Sequence, residues 1–155
     1  MRILGVDIGT VRTGFAVSDP LCLTAQPLRT REVTGVKSTC TAIVEEITAY
    51  EDGAVNGRIG TIVLGHPLHL DGRASEMSAR VEECARRVKI YMQQSLDREI
   101  PVELWNERLT SVAAERALLE GDVSRKDRRM ARDRVAAQLL LHSYLEAHRD
   151  TIDRT

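Results

Sequence analysis

Apolar residues fall along the chain in two kinds of stretch. Ile3-Leu4-Gly5-Val6-Asp7-Ile8 and Thr61-Ile62-Val63-Leu64-Gly65 are short, nearly continuous runs, the pattern of strands buried on both faces. The first reads as a central strand. Gly9, Thr10 and Gly14 then punctuate a turn, and Gly14-Phe15-Ala16-Val17-Ser18 reads as a second strand close enough to pair with the first as a hairpin. Asp19-Pro20 breaks it. A weaker third strand over Thr24–Arg29 contains Pro27, which places it at a sheet edge. Pro101-Val102-Glu103-Leu104-Trp105 supplies a fifth strand.

Elsewhere the apolar positions recur with helical spacing. Val36 to Glu51 carries Val36, Cys40, Ile43, Val44 and Ile47. Ser75 to Leu96 repeats Met77, Val81, Cys84, Ala85, Val88, Met92 and Leu96. Ser124 to His148 places Ala136, Ala137, Leu140, Leu141 and Tyr144 on an inner side. A short helix capped by Thr110 or Ser111 and ended by Gly121 precedes it. Loops are expected over Glu51–Gly60 and His66–Gly72. The order, β-β-β-α-β-α-β-α-α, predicts an α/β fold with a mixed sheet and helices upon it.

At 155 residues the chain suits one domain, expected to span 1–155. Hydrophobic residues at 43% and charged residues at 29% describe a globular chain rather than a disordered one. No apolar run approaches the ~18 residues of a membrane helix, and the first residues lack the features of a signal peptide. Cys22, Cys40 and Cys84 are odd in number and far apart in sequence, so neither a disulfide framework nor a CxxC metal knuckle is expected. These features predict a cytoplasmic protein.

Net charge is −1, from 22 Lys+Arg against 23 Asp+Glu, and does not advertise a nucleic-acid partner. Its distribution does more. Arg125, Lys126, Arg128, Arg129, Arg132 and Arg134 crowd one short stretch against Asp127 and Asp133. Such a patch can meet phosphates, or can be a solvated helix start. The aromatic residues, Phe15, Tyr50, Tyr91, Trp105 and Tyr144, are too sparse for a base-stacking platform.

Three acids stand in unusual places. Asp7 sits at the end of an apolar strand, where a carboxylate is expensive unless it is paired, metal-bound or capping its own turn. Glu107 follows the last strand, at the sheet end where ligands collect in open α/β folds. It also suits a surface glutamate paired with Arg108. Asp133 shares a helix face with Ala137, Leu140 and Tyr144 and so extends an apolar stripe. An inward carboxylate there calls for a cation, either Arg2 or Arg12, or a divalent metal. Together the three would make an all-oxygen cluster suited to Mg²⁺ or Mn²⁺.

Four stretches in order carry a family resemblance. They are Gly5-Val6-Asp7-Ile8-Gly9-Thr10 with Arg12 and Gly14, then Leu64-Gly65-His66-Pro67-Leu68 with Asp71-Gly72. Asn106-Glu107-Arg108-Leu109-Thr110-Ser111 follows, then Asp133 with Ala136-Ala137, Leu139-Leu140 and Ser143-Tyr144-Leu145. From Ile3 to about Glu146 the chain resembles the bacterial YqgF/RuvX family, associated with precursor 16S rRNA maturation and with Holliday-junction-resolvase-like proteins. The resemblance implies an RNase H-like fold with a five-stranded mixed sheet flanked by helices. It implies that Asp7, Glu107 and Asp133 are a catalytic, metal-binding triad holding two Mg²⁺ or Mn²⁺ ions. Asp7 would bridge them while Glu107 and Asp133 each hold one. Arg12 would contact a phosphate. Thr10, Arg108, Thr110 and Ser111, with Arg125, Lys126 and Arg129 of the basic stretch, would be further substrate contacts.

Departures from the family pattern leave the triad intact. Asn106 stands where an aspartate is usual and is not expected to ligate metal. His66 and His69 replace an apolar residue and an asparagine. His66-x-x-His69 lacks a third soft ligand, so a surface loop is expected rather than a metal site.

The implied activity is metal-dependent phosphodiester hydrolysis of structured RNA, in precursor 16S rRNA maturation. The alternatives are a Holliday-junction DNA resolvase, which needs two symmetric sites and hence a dimer, and a non-catalytic RNA-binding ribosome assembly factor. The expected partner is nucleic acid, with no membrane, and the protein is a monomer or homodimer.

Overall fold

The computed structural model describes residues 1–53, 56–67, 75–106 and 125–152, the side chains of 125–134 excepted. Its strands are β1 (Arg2–Ile8), β2 (Arg12–Ser18), β3 (Ala25–Glu32), β4 (Ile59–His66) and β5 (Val102–Asn106). Its helices are α1 (Val36–Glu51), α2 (Glu76–Leu96), α3 (Arg125–Ala147) and the short α4 (Arg149–Ile152). The five strands form one sheet in the order β3-β2-β1-β4-β5. β1 is antiparallel to β2 and parallel to β4, β2 is antiparallel to β3, and β4 is parallel to β5. The sheet is mixed, with β1 at its centre and the Pro27-bearing strand at an edge, as the pattern predicts.

Two details differ. Gly14 is not part of the first turn. It lies inside β2, opposite Asp7, because the turn is closed earlier by Gly9 N–H donating to the Arg12 carbonyl at 2.8 Å. A Cβ on Gly9 would stand 2.5 Å from that carbonyl oxygen, so this turn requires glycine. The third strand also runs to Glu32, beyond Arg29. An irregularity in the β2–β3 pairing between Gly14 and Ala16 lets it continue past Pro27. Beyond it, Arg29 binds Glu46 at 2.8 Å and Arg31 binds Glu45 at 2.5 Å, tying the edge strand to α1. The helix expected after Thr110 lies outside the described residues.

Strand alternation divides the core in two. Leu4, Val6, Ile8, Phe15, Val17, Ile62 and Leu64 face α1 and α2, where they pack on Ile43, Ile47, Val81, Val88 and Met92. Ile3, Ala16, Ala25 and Val63 face α3 and pack on Ala137, Leu141, Tyr144 and Leu145. Both faces of the sheet are therefore covered, which explains why β1 and β4 read as continuous apolar runs. α2 begins with a capping box in which the Ser75 hydroxyl accepts from Ser78 N–H and the Ser78 hydroxyl accepts from Ser75 N–H. Among the described residues no helix is long and apolar enough to cross a membrane.

Candidate active site

The site is built around the C-terminal end of the central strand. Val6 and Ile8 are buried toward α1 and α2, so alternation turns Asp7, like Ile3 and Gly5, to the α3 face. The Asp7 side is only half-buried. Its neighbour on β2 is Gly14, which places no side chain beside it. Two residues earlier, α3 comes down onto the sheet. A Cβ on Gly5 would stand 2.9 Å from the Leu141 Cβ and 3.5 Å from the Ala137 carbonyl oxygen. The helix that carries position 133 is thereby pressed onto the strand that carries Asp7, and position 133 lies one turn before Ala137 in that helix.

The chain leaving Asp7 turns at Gly9–Val11 and re-enters the sheet at Arg12. Thr10 is exposed in this turn and Arg12 half-buried at its end. The Val33 N–H donates to the Val11 carbonyl at 2.9 Å, which fastens the turn to the end of β3. Thr10 and Arg12 thus share the sheet end at which Asp7 sits.

Arg2 does not belong to this site. It begins β1, about 16 Å of strand away from Asp7. Its guanidinium donates to the Ser18 carbonyl at 3.0 Å and to the Asn56 carbonyl, and lies 5.9 Å from the centre of the Tyr50 ring. Tyr50 is on the α1 side of the sheet, so Arg2 is committed on the face opposite α3 and is not placed to pair with an inward acid of that helix.

β5 ends at the same edge of the sheet. Trp105 is level with Gly65 and Asn106 with His66. Trp105 lies on the α3 side, and its indole N–H donates to the Ser143 hydroxyl at 3.1 Å. The Tyr144 hydroxyl donates to Glu103 at 2.6 Å. The Trp105 and Tyr144 rings meet edge to face at 5.5 Å, and His148 stacks on Tyr144 at 4.1 Å. Burial, reinforced by the Glu103 carboxylate that accepts its proton, raises the Tyr144 hydroxyl well above its ordinary pKa. This clamp fixes the strand that leads into Glu107 against the helix that contains position 133. Sequence reasoning missed it. It placed Tyr144 on the inner side of α3 and Trp105 at a strand end, but neither position names the other as its partner.

His66 points the other way. Its Nε2 lies 3.0 Å from a Glu82 carboxylate oxygen of α2, on the face opposite Asp7. His69 is outside the described residues, as are Glu107, Arg108, Thr110 and Ser111, and the side chains of Asp133, Arg125, Lys126 and Arg129. Among the described residues no group of three His, Cys, Asp or Glu gathers that could hold a metal ion. Of the expected triad, the structure therefore describes the Asp7 side chain, the strand leading to Glu107 and the helix containing position 133.

Comparison with known proteins agrees with this architecture. A family model described as "RuvX: Holliday junction resolvase" matches residues 1–147. A protein of Myxococcus xanthus (strain DK1622) is 42% identical over 149 residues, covering 96% of this chain and 90% of its own. One of Geobacillus kaustophilus (strain HTA426) is 38% identical over 155 residues, covering 96% of this chain and 100% of its own. Both bear the name "Putative pre-16S rRNA nuclease". Among solved structures, Thermus thermophilus RuvC in complex with a Holliday junction superposes with a TM-score of 0.57 at 15% identity, covering 97% of each chain. The fowlpox virus Holliday junction resolvase superposes with a TM-score of 0.54 at 17% identity, covering 95% of this chain and 99% of that one. At these identities the likeness is one of fold, and the fold is RNase H-like, as the family resemblance implied.

Proposed function

The chain belongs to the RuvX family, and from that premise we propose that it is a divalent-metal-dependent nuclease that hydrolyses phosphodiester bonds of structured RNA. Its substrate is precursor 16S rRNA, the substrate named for its relatives. It acts in the cytoplasm as one nuclease domain over residues 1–155.

The observation that carries this reading is the placement of Asp7. It puts a carboxylate at the C-terminal end of the central strand, half-buried, on the α3 face and beside a residue with no side chain, where its oxygens can meet a cation and a phosphate. Its oxygen donors suit a hard divalent ion, and those of Glu107 and Asp133 complete an all-oxygen set for Mg²⁺ or Mn²⁺. Two ions held by Asp7, Glu107 and Asp133 would supply an activated water and neutralise charge on the phosphate. The protein's own part is placement. β1 holds Asp7 rigidly between two paired strands. The Trp105–Tyr144 clamp joins the elements from which the other two acids come. Arg12 and Thr10 hold one phosphate at the turn beyond Asp7, and Arg108, Thr110 and Ser111 are the further substrate contacts that the family motif supplies. Arg125, Lys126 and Arg129 extend the grip on the backbone at the start of α3 without reading sequence.

The decisive experiment is cleavage of labelled precursor-rRNA fragments and a four-way DNA junction, side by side in Mn²⁺, with the Asp7→Asn protein as control. The expected result is metal-dependent RNA products that disappear in the variant while RNA binding persists. Junction products alone would move the assignment to a DNA resolvase. Equal RNA binding by both proteins with no cleavage would make this a non-catalytic assembly factor.

A further inference from the structure

Cys40 and Cys84 are 44 positions apart in sequence, yet their sulfur atoms lie 3.6 Å apart in the interior. Cys40 is one turn into α1 and Cys84 is midway along α2, and each is at most 1% exposed. Both are free thiols. Cys40 Sγ also approaches the Cys84 carbonyl at 3.8 Å. They sit among Ile43, Val81 and Val88, in the layer between the two helices and the sheet. A disulfide needs its sulfurs about 2 Å apart, so closing this pair moves each by less than about 1 Å.

We propose that Cys40 and Cys84 form a peroxide-oxidisable dithiol site that closes to a disulfide stapling α1 to α2. Two features favour this pair over ordinary core packing. First, the contact is sulfur to sulfur, so the partner that would capture an oxidised cysteine is already in place. Second, the two thiols are unequal. The sulfur–sulfur hydrogen bond, in which either thiol can donate, lowers the Cys40 pKa against the opposing effect of burial, whereas the same bond together with burial raises Cys84. Either sulfur can attack first, and the product is the same disulfide.

The chemistry balances with one hydroperoxide. One sulfur attacks a peroxide oxygen, the O–O bond breaks, and a sulfenic acid forms with loss of one water. The other sulfur then displaces the hydroxyl group, which leaves as a second water with that thiol's proton. Two thiol sulfurs are oxidised by two electrons and the peroxide is reduced by two. Hydrogen peroxide is small enough to reach a buried pair during local opening, which a bulky disulfide reagent is not. The bond would close a long loop, from α1 through β4 to α2, and so would constrain the unfolded chain strongly.

The test is titration of the purified full-length protein with hydrogen peroxide, followed by intact mass, peptide mapping and thermal unfolding. The expected product is a monomer lighter by about 2 Da, with Cys40 and Cys84 in one linked peptide and Cys22 still free. Its melting temperature should rise by about 5–10 °C and return on treatment with dithiothreitol. Cys22→Ser should behave as the wild type. Cys84→Ala should instead add oxygen at Cys40 without any loss of mass. Mass gain at Cys40 or Cys84 in the wild type, or linkage through Cys22 in place of the Cys40–Cys84 link, would overturn the proposal. Mapping of the wild type decides the matter even if the alanine variant fails to fold.

Discussion

Gly5 of β1 lies so close to Leu141 of α3 that a Cβ at position 5 would stand 2.9 Å from the Leu141 Cβ. The glycine is there for clearance, since its strand position makes no demand for unusual dihedrals. Gly5→Ala is expected to lift α3 off β1 and destabilise the fold by about 1–3 kcal/mol, the usual range for overpacking a close contact. Because α3 carries position 133, nuclease activity should fall as well. Urea unfolding of the purified variant checks the first effect, and an unchanged midpoint would show that the helix does not rest on this strand.

Tyr144 is 5% exposed and donates to Glu103 at 2.6 Å. Tyr144→Phe is expected to cost about 1–2 kcal/mol, the value of a hydrogen bond to a charged acceptor less the ease with which exposed Glu103 regains water. The raised Tyr144 pKa also fixes a pH dependence. The folded state holds the proton more tightly than the unfolded state, in which tyrosine titrates near its ordinary value of about 10. The stabilisation is therefore complete below that pH and is lost as pH rises above it. Unfolding curves at neutral pH and near pH 11 should show the gap between wild type and variant narrowing in alkali.

Asp19 closes the β2–β3 connection. One of its carboxylate oxygens accepts from the Leu23 and Thr24 N–H groups at 2.6 and 2.8 Å. Burial works against its charge, but these backbone donors outweigh it and hold the carboxyl below its ordinary pKa. Its contribution is thus present above the unfolded value of about 4 and is lost as pH falls through the folded one. Asp19→Ala should destabilise by about 0.5–1 kcal/mol at neutral pH. The difference should vanish near pH 2, and a difference that survives there would assign the effect to backbone conformation rather than charge.

Thr13 is fully buried, and its hydroxyl has no hydrogen-bond partner. It sits on β2 next but one to Phe15, on the face that packs against α1 and α2. Replacing it with valine keeps the branched shape and removes the desolvation cost. Thr13→Val is expected to stabilise by about 1 kcal/mol. A lower melting temperature for this variant would reveal a partner, such as a buried water, for that hydroxyl.

Much of this protein was written locally. α1, α2 and α3 begin and end within a residue or two of where periodicity placed them, because a helix face is a property of nearby residues. Pro27 marked β3 as an edge because a residue without an N–H cannot sit in the middle of a ladder. Asp7 stood out because a charge in an apolar run demands an explanation. Glu107 and Asp133 stood out by position as well, at a strand end and on an inward helix face, and the family motifs joined them to Asp7 as one triad. What tertiary structure decided was adjacency. That β4 lies beside β1, that Leu141 needs the space a glycine leaves, that Trp105 finds Ser143 while Tyr144 finds Glu103, and that Cys40 touches Cys84 all depend on which elements neighbour one another. Such pairings join residues dozens of positions apart, and spacing along the chain carries no record of them. They form only when each helix must bury its apolar stripe against the sheet face left open to it.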